Sequence, residues 1–247
     1  MRVGVLGATG RLGRLVVAAL AADERGPLVS RQRGVAVEGL PTITLDDPHP
    51  APDVWIDVSS PEALSALLAR LPPTTPLVTG TTGLSGACGV ALDRHARTAP
   101  VLQAANFSTG VALLQALVRT AAALLRDADI EVVEAHHRGK VDAPSGTALA
   151  LARAAAEGRG LDLTTHAVFG REGRTGPRPP DEIGIHALRG GDTFGDHTVW
   201  LATEGERLEL RHVATSRAVF AAGAVRAARW LVGRPPGRYA MGDVVSR

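Results

Sequence analysis

The amino-acid sequence predicts an α/β protein: a Rossmann-type doubly wound parallel sheet, followed by a second α+β domain with a mixed open sheet. Three observations lead there. Short apolar runs alternate with helix-length periodic segments through the first part of the chain, the pattern of βα units. A glycine turn, Gly7-Ala-Thr-Gly10-Arg-Leu-Gly13, separates the first such strand from the first such helix. From Thr165 onward the pattern becomes a succession of period-2 strands with few helices between them. A chain of 247 residues accommodates two modest domains. The expected division is residues 1–107 with 217–247 as the dinucleotide-binding domain, and 108–216 as the second.

In chain order, Arg2 to Leu6 is the first strand and the helix after the glycine turn runs to about Ala22. Strand, glycine turn and helix in this order let the backbone approach a pyrophosphate and present amides at a positive helix end. The next strand, Pro27–Ser30, ends in Ser30-Arg31-Gln-Arg33. This strand end faces the adenosine ribose in a dinucleotide domain, where arginine suits a 2′-phosphate and a carboxylate suits the free hydroxyl. With no carboxylate here, NADPH is the preferred cofactor, NADH a possible one, and Arg31 the expected phosphate contact with Arg33 in reserve.

After a loop-rich stretch with a short strand at Pro41–Leu45, Asp53–Val58 reads as a buried parallel strand and Pro61 opens a helix. Strand Pro76–Thr79 leads to Gly80-Thr-Thr-Gly83, then a helix from Ser85 to Thr98, then strand Pro100–Gln103 and Ala104-Ala-Asn-Phe107. Ligands of doubly wound sheets collect at the carboxyl ends of strands, where Gly7, Asp57, Gly80, Thr81, Thr82 and Asn106 all fall. A long apolar helix from Ser108 to about Arg126 follows. Beyond it the expected strands are Asp129–Val133, Thr165–Phe169, Ile183–Leu188, Thr198–Thr203 and Arg207–Val213. Gly170–Pro180, rich in Gly, Pro and Arg, reads as a long mobile loop or lid. Ser216 to about Val232 is an amphipathic helix.

Composition narrows the function. The chain has 27 basic and 25 acidic residues, a formal charge of +2, and only 3% aromatics. Nucleic-acid binding therefore has few stacking platforms, and a small anionic ligand fits better. No apolar run reaches the length of a membrane span, and the N-terminus enters a strand rather than a leader, so a soluble cytoplasmic protein is expected. Cys88 is the only cysteine, which excludes an internal disulfide and points to a small buried residue.

The densest chemistry lies in Glu134-Ala-His-His-Arg-Gly-Lys-Val-Asp-Ala-Pro-Ser-Gly-Thr147, between a strand and a helix. Lys140 is the only lysine in a chain otherwise supplied with arginine. An ammonium can surrender a proton and a guanidinium cannot, so Lys140 is a candidate acid. His136 and His137 fall on opposite faces if the strand continues, so one of them faces a given cleft. Ser145-Gly-Thr147 stands at the amino end of a helix; it forms a carboxylate cradle of free amides, or it caps the helix and nothing more. No further ligand cluster stands near the histidines, so no metal is expected.

These residues resemble the signature of the 4-hydroxy-tetrahydrodipicolinate reductase (dihydrodipicolinate reductase) family. The likeness extends to Gly7–Gly13, Gly80–Thr82, Ala104–Phe107, Gly191–Thr198 and Ser216–Phe220, nearly the full chain. It implies NAD(P)H-dependent reduction of 4-hydroxy-tetrahydrodipicolinate to tetrahydrodipicolinate in lysine and diaminopimelate biosynthesis, on a small anionic dicarboxylate substrate. It further implies His136 as catalytic acid/base, Lys140 as proton donor, and His137, Gly146, Thr147 and Arg217 as substrate contacts. To the cofactor it assigns Gly7, Ala8, Thr9, Gly10, Arg11, Leu12, Gly80, Thr81, Thr82, Ala104, Ala105, Asn106 and Phe107. A second domain that binds substrate and joins a homotetramer is also implied, with no nucleic-acid or membrane partner. Two departures stand out: the segment between the second strand and Asp53 is short for the family, and Ser30 occupies a place where members often carry an acidic residue.

Overall fold

A computed structural model describes residues 1–246, in two compact units: Met1–Thr109 joined by the stretch from Arg217 onward, and Gly110–Ser216. In the first unit the chain runs β1 (Val3–Leu6), α1 (Arg11–Ala19), β2 (Arg25–Val29), β3 (Ala36–Val37), β4 (Leu40–Pro41), β5 (Val54–Asp57), α2 (Pro61–Leu68), β6 (Leu77–Thr79), α3 (Gly86–His95) and β7 (Pro100–Gln103). Strands β1, β5 and β6 are buried at every position, as central parallel strands covered on both faces must be. Helix α1 buries Gly13, Val16, Val17 and the following Leu20, one stripe at helical spacing. Ser60 and Ser85 cap α2 and α3 through bonds from the amides of Ala63 and Cys88, and Pro61 fills the first position of α2, where its missing N–H costs nothing. Cys88 is buried.

The chain then forms the second unit with α4 (Thr109–Leu124), β8 (Asp129–His136), α5 (Gly146–Arg159), α6 (Leu163–His166), β9 (Ala167–Phe169), β10 (Ile183–Arg189), β11 (Asp196–Thr203) and β12 (Glu206–Val213). Its sheet has the order β12-β11-β8-β10-β9; β8, β10 and β9 are parallel, and β11 is antiparallel to both neighbours. Burial alternates strictly along β8, with Ile130, Val132, Glu134 and His136 on the inner face. Leu114 and Val118 of α4 and Leu151 and Ala155 of α5 pack there against Ile130, Val132, Ile185, Val199 and Leu201. Ser145 caps α5 and Gly160, at φ +72°, ends it in the left-handed conformation.

Returning to the first unit, the chain forms α7 (Ala218–Leu231), β13 (Gly237–Tyr239) and α8 (Met241–Val245). The completed six-stranded sheet, β13-β7-β6-β5-β1-β2, is parallel throughout. Helix α7 packs with α1, and a Cβ on its Gly223 would fall 1.8 Å from the Phe107 carbonyl oxygen, so the helix rests directly on backbone.

Three expectations are corrected, and one strand adds to them. The strand expected at Pro41–Leu45 is a two-residue ladder, β3 with β4, plus a single bridge from Val29 to Ile43. Part of the strand expected at Thr165–Phe169 is the short helix α6, where Asp162 accepts from the Thr164 amide and hydroxyl. The C-terminal β13 was not foreseen, since Gly237-Arg-Tyr239 is too short to carry a period. Finally, Gly170–Pro180 forms no helix or strand, but it is anchored rather than loose. Arg171 and Arg178 bond Glu131, and Arg178 also reaches Asp129, with Glu182 bonding Arg171. Among the described residues, no helix is long and apolar enough to cross a membrane.

Candidate functional site

In the first unit, the carboxyl ends of β1, β5, β6 and β7 carry the groups singled out for a nucleotide. Gly7 takes φ +85°, and its oxygen accepts from the Gly10 amide at 2.9 Å, closing the turn before α1. A Cβ on Gly13 would lie 2.0 Å from that same oxygen, so the helix abuts the loop only because Gly13 has no side chain. Where Ser60 and Ser85 cap their helices with hydroxyls, Gly10 offers no side-chain cap to α1. The first-turn amides of Arg11 and Leu12 thus suit an anionic ligand, and the residues fit a dinucleotide pyrophosphate. Ala8 is buried beneath the turn; Thr9 is half-buried and its carbonyl accepts from Arg14 Nε.

Beside it, Asp57 is fully buried and accepts from Thr79 Oγ1 and Thr81 Oγ1, each at 2.7 Å, and from the Ser59 amide and hydroxyl. Burial pushes this carboxyl above the usual range against the pull of those donors. The hydroxyl of Thr81 is therefore held inward, while Thr82 and Ala105 are exposed. Phe107 is buried with its ring against Gly80, where a Cβ would stand 2.5 Å away. Asn106 Oδ1 accepts from the Ser108 amide at 2.8 Å and Ala104 N donates to the Thr79 oxygen at 3.0 Å, which fixes the loop after β7.

At the end of β2, Arg31 is exposed. Ser30 is buried, its hydroxyl bonded to the Gln32 carbonyl and amide and to Thr42. Arg33 is held by Asp47 in a two-point ion pair, so the reserve phosphate contact is already engaged.

In the second unit, β8 brings Glu134 and His136 onto one buried face. Glu134 Oε2 accepts from His136 Nδ1 at 2.5 Å and from Arg189 Nη1 at 2.8 Å; Oε1 accepts from Arg189 Nη2 at 2.8 Å and the Ser145 amide at 2.9 Å. Burial opposes charge on Glu134, but Arg189, His136 and the Ser145 amide outweigh it and hold the carboxyl below its ordinary range. His197 lies beside them, its ring edge-on to His136 with centroids 5.2 Å apart and its Nε2 3.2 Å from Ser145 Oγ. Burial, with the neighbouring His136, pushes His197 down to about 4, so it is neutral at physiological pH.

His137 is only half-buried, its amide donating to Thr193 O. Lys140 Nζ is clasped by both oxygens of Asp142 at 2.7 and 2.8 Å. Gly146 and Thr147 form the first turn of α5, and the Ser145 hydroxyl takes the Ala148 amide, so the cap is real. Arg217 belongs to the first unit, half-buried at the residue before α7. Among the described residues, no three His, Cys, Asp or Glu side chains are grouped to hold a metal.

Sequence reasoning missed Glu134, Arg189 and His197 as site residues. Glu134 was accessible, two positions before His136 on a period-2 strand. The others depend on register: Arg189 is paired with His136 across β10–β8, and His197 with Glu134 across β11–β8.

Comparison with known proteins agrees across the whole chain. Residues 1–107 match the family model described as dihydrodipicolinate reductase, N-terminus, and 110–245 its C-terminus counterpart. A 4-hydroxy-tetrahydrodipicolinate reductase of Halorhodospira halophila is 47% identical over 261 residues, covering 98% of each chain. One from a Nitratiruptor species is 48% identical over 250 residues at the same coverage. Among solved structures, a dipicolinate-bound dihydrodipicolinate reductase from Paenisporosarcina sp. TG-14 shares the fold, with a TM-score of 0.70 at 22% identity over 97% of each chain.

Proposed function

Because the chain belongs to the dihydrodipicolinate reductase family, and so reduces 4-hydroxy-tetrahydrodipicolinate with a nicotinamide nucleotide, we propose a residue-level division of that work. The first unit holds the nucleotide: the turn Gly7 to Leu12 takes the pyrophosphate, and Gly80–Thr82 and Ala104–Phe107 line the remainder. Arg31 meets the 2′-phosphate, making NADPH the preferred cofactor; its exposure at the end of β2, with Arg33 engaged by Asp47 and no carboxylate at Ser30, supports this.

When bound, the reduced nicotinamide supplies a hydride to C4 of the cyclic imine once its 4-hydroxyl has left as water. His136 and Lys140 supply the proton that completes reduction at the adjacent carbon. The first-turn amides at Gly146 and Thr147, with His137, hold a substrate carboxylate, since a helix N-terminus favours negative charge. Asp142 clasps the Lys140 ammonium, and a substrate carboxylate competes for that cation. The observation that carries the reading is the convergence at one end of β8 of an ion-paired histidine, the chain's only lysine nearby in sequence, and a helix start. A homotetramer working in the cytoplasm completes the proposal.

Steady-state oxidation of NADPH with freshly generated 4-hydroxy-tetrahydrodipicolinate tests it. Substrate-dependent turnover that collapses in His136→Gln is expected, and turnover untouched by that change refutes the assignment.

A further inference from the structure

The carboxylate of Glu134 has about four acceptor positions, and all four are filled: by His136 Nδ1, by both terminal nitrogens of Arg189, and by the amide of Ser145. The donors come from three places. His136 shares β8 with Glu134, Arg189 arrives from β10 in register with His136, and Ser145 starts α5. Arg189 is itself tied to two carbonyls, Leu188 O at 2.6 Å and Asp142 O at 2.8 Å. A fully buried carboxylate with four fixed donors does not rotate, and it keeps its charge because a guanidinium lies against it.

An ionised carboxylate only accepts hydrogen bonds, so the contact at 2.5 Å puts a proton on His136 Nδ1. The other ring nitrogen, Nε2, then carries the lone pair or the exchangeable proton. It faces Gly195, where a Cβ would lie 3.0 Å away, and no described side chain bonds it. The charged and titratable groups around the ring are Glu134 on β8, Arg189 on β10, and His197 on β11 with His212 beyond it; Lys140 and Asp142 follow in the loop after β8.

We propose that Glu134, clamped by Arg189 and the Ser145 amide, is a positioning residue for the reduction: it fixes the His136 ring with a proton on Nδ1 and commits Nε2 to proton exchange with the substrate. This rests on the reading of His136 as the acid/base. In the proton-giving step the Nε2–H bond breaks and a C–H bond forms on the substrate; the imidazolium becomes the neutral Nδ1–H ring, and water later restores the proton. Glu134 stays ionised throughout, its role confined to orientation and to stabilising the imidazolium.

Glu134→Gln separates this from a purely structural ion pair. The glutamine keeps the shape but has one oxygen for four donors. With that oxygen toward Ser145 and Arg189 Nη2, its NH2 faces His136 Nδ1, which must then accept, and the ring tautomer inverts. The expected result is a fall in kcat of about a hundredfold or more, with KM and NADPH affinity nearly unchanged, and a shifted limb in the pH profile of kcat. Ring 15N spectra should show Nδ1 protonated in the wild type and the proton moved to Nε2 in the variant. If Glu134→Gln folds, binds NADPH and keeps wild-type kcat while His136→Gln loses it, the clamp proposal alone is overturned. If His136→Gln keeps kcat, the acid/base reading falls and the clamp with it. Should the variant fail to fold, the neutral ring in the wild-type spectrum decides: a proton on Nδ1 alone supports the clamp and a proton on Nε2 alone overturns it.

Discussion

The carbonyl oxygen of Gly7 comes so close to Gly13 that a Cβ on Gly13 would stand 2.0 Å from it. That contact sets how near the start of α1 approaches the turn after β1. Gly13→Ala has to push helix and loop apart, and overpacking of this kind costs about 1–3 kcal/mol. A lower melting temperature and an NADPH affinity weakened by roughly tenfold, the equivalent of 1.4 kcal/mol, are expected from calorimetry and fluorescence titration. Unaltered affinity would show that this turn does not hold the nucleotide.

Arg31 and Arg33 lie two residues apart and should behave differently. Arg33 is engaged by Asp47 and Arg31 is exposed. Losing a charged hydrogen bond to a phosphate costs about 1.5–3 kcal/mol, so Arg31→Ala should weaken NADPH binding about 10- to 100-fold. NADH binding should not change, and Arg33→Ala should leave both nucleotides near their original affinities. Equal losses for the two cofactors in Arg31→Ala would remove the basis for an NADPH preference.

Lys140→Ala should reduce kcat strongly while the NADPH dissociation constant stays at its wild-type value. The lysine lies in the second unit and its bonds go to Asp142. Pre-steady-state measurement of hydride transfer against direct cofactor titration makes the comparison, and parallel losses in the two would argue for a structural role.

Glu131 tethers the Gly170–Pro180 segment. Burial pushes its carboxyl up, but bonds from Arg171, His186 and Arg178 prevail and bring it down to about 2 from 4.5. Since the folded value is the lower one, the stabilisation is fully present above about pH 4.5 and is lost as pH falls through about 2. The protection of the segment's amides, taken relative to their intrinsic exchange rates, should fall across that window. Glu131→Gln should open the segment at neutral pH, with faster tryptic cleavage after Arg171 and Arg174; resistance equal to wild type would show that the tether is redundant.

His197 gives a signature of the same sign in a higher pH window. Its folded value of about 4 lies below the ordinary 6.5, so the unfolded chain takes up the proton first. Its contribution erodes as pH falls from 6.5 to about 4 and is constant on either side of that range. Urea unfolding at several pH values should show this slope, and His197→Asn should flatten it. A slope that survives the substitution would place the titration elsewhere.

The nucleotide half was legible because its determinants are local. Gly7, Gly10 and Gly13 follow a strand at the start of an amphipathic helix within one βα unit, and the apolar runs Val54–Ile56 and Leu77–Val78 announce buried parallel strands. The anchoring of Gly170–Pro180 was not legible, because Arg171 and Arg178 meet Glu131 across 40 and 47 residues of sequence. Read locally, glycine, proline and arginine describe a free loop; only the outer face of β8 supplies the carboxylate that holds it.

By itself the sequence determined the two kinds of sheet, the glycine turn and the segment that carries His136, Lys140 and Ser145, since each depends on residues close together in the chain. The tertiary structure alone decided which partners those residues keep. Strand register sets Arg189 beside His136 and His197 beside Glu134. Burial then turns that neighbourhood into a charged carboxylate, a neutral histidine and one ring with a defined free nitrogen. Register and burial are properties of the packed sheet, where solvent is excluded and donors from three elements meet one acceptor, and no short stretch of sequence holds that information.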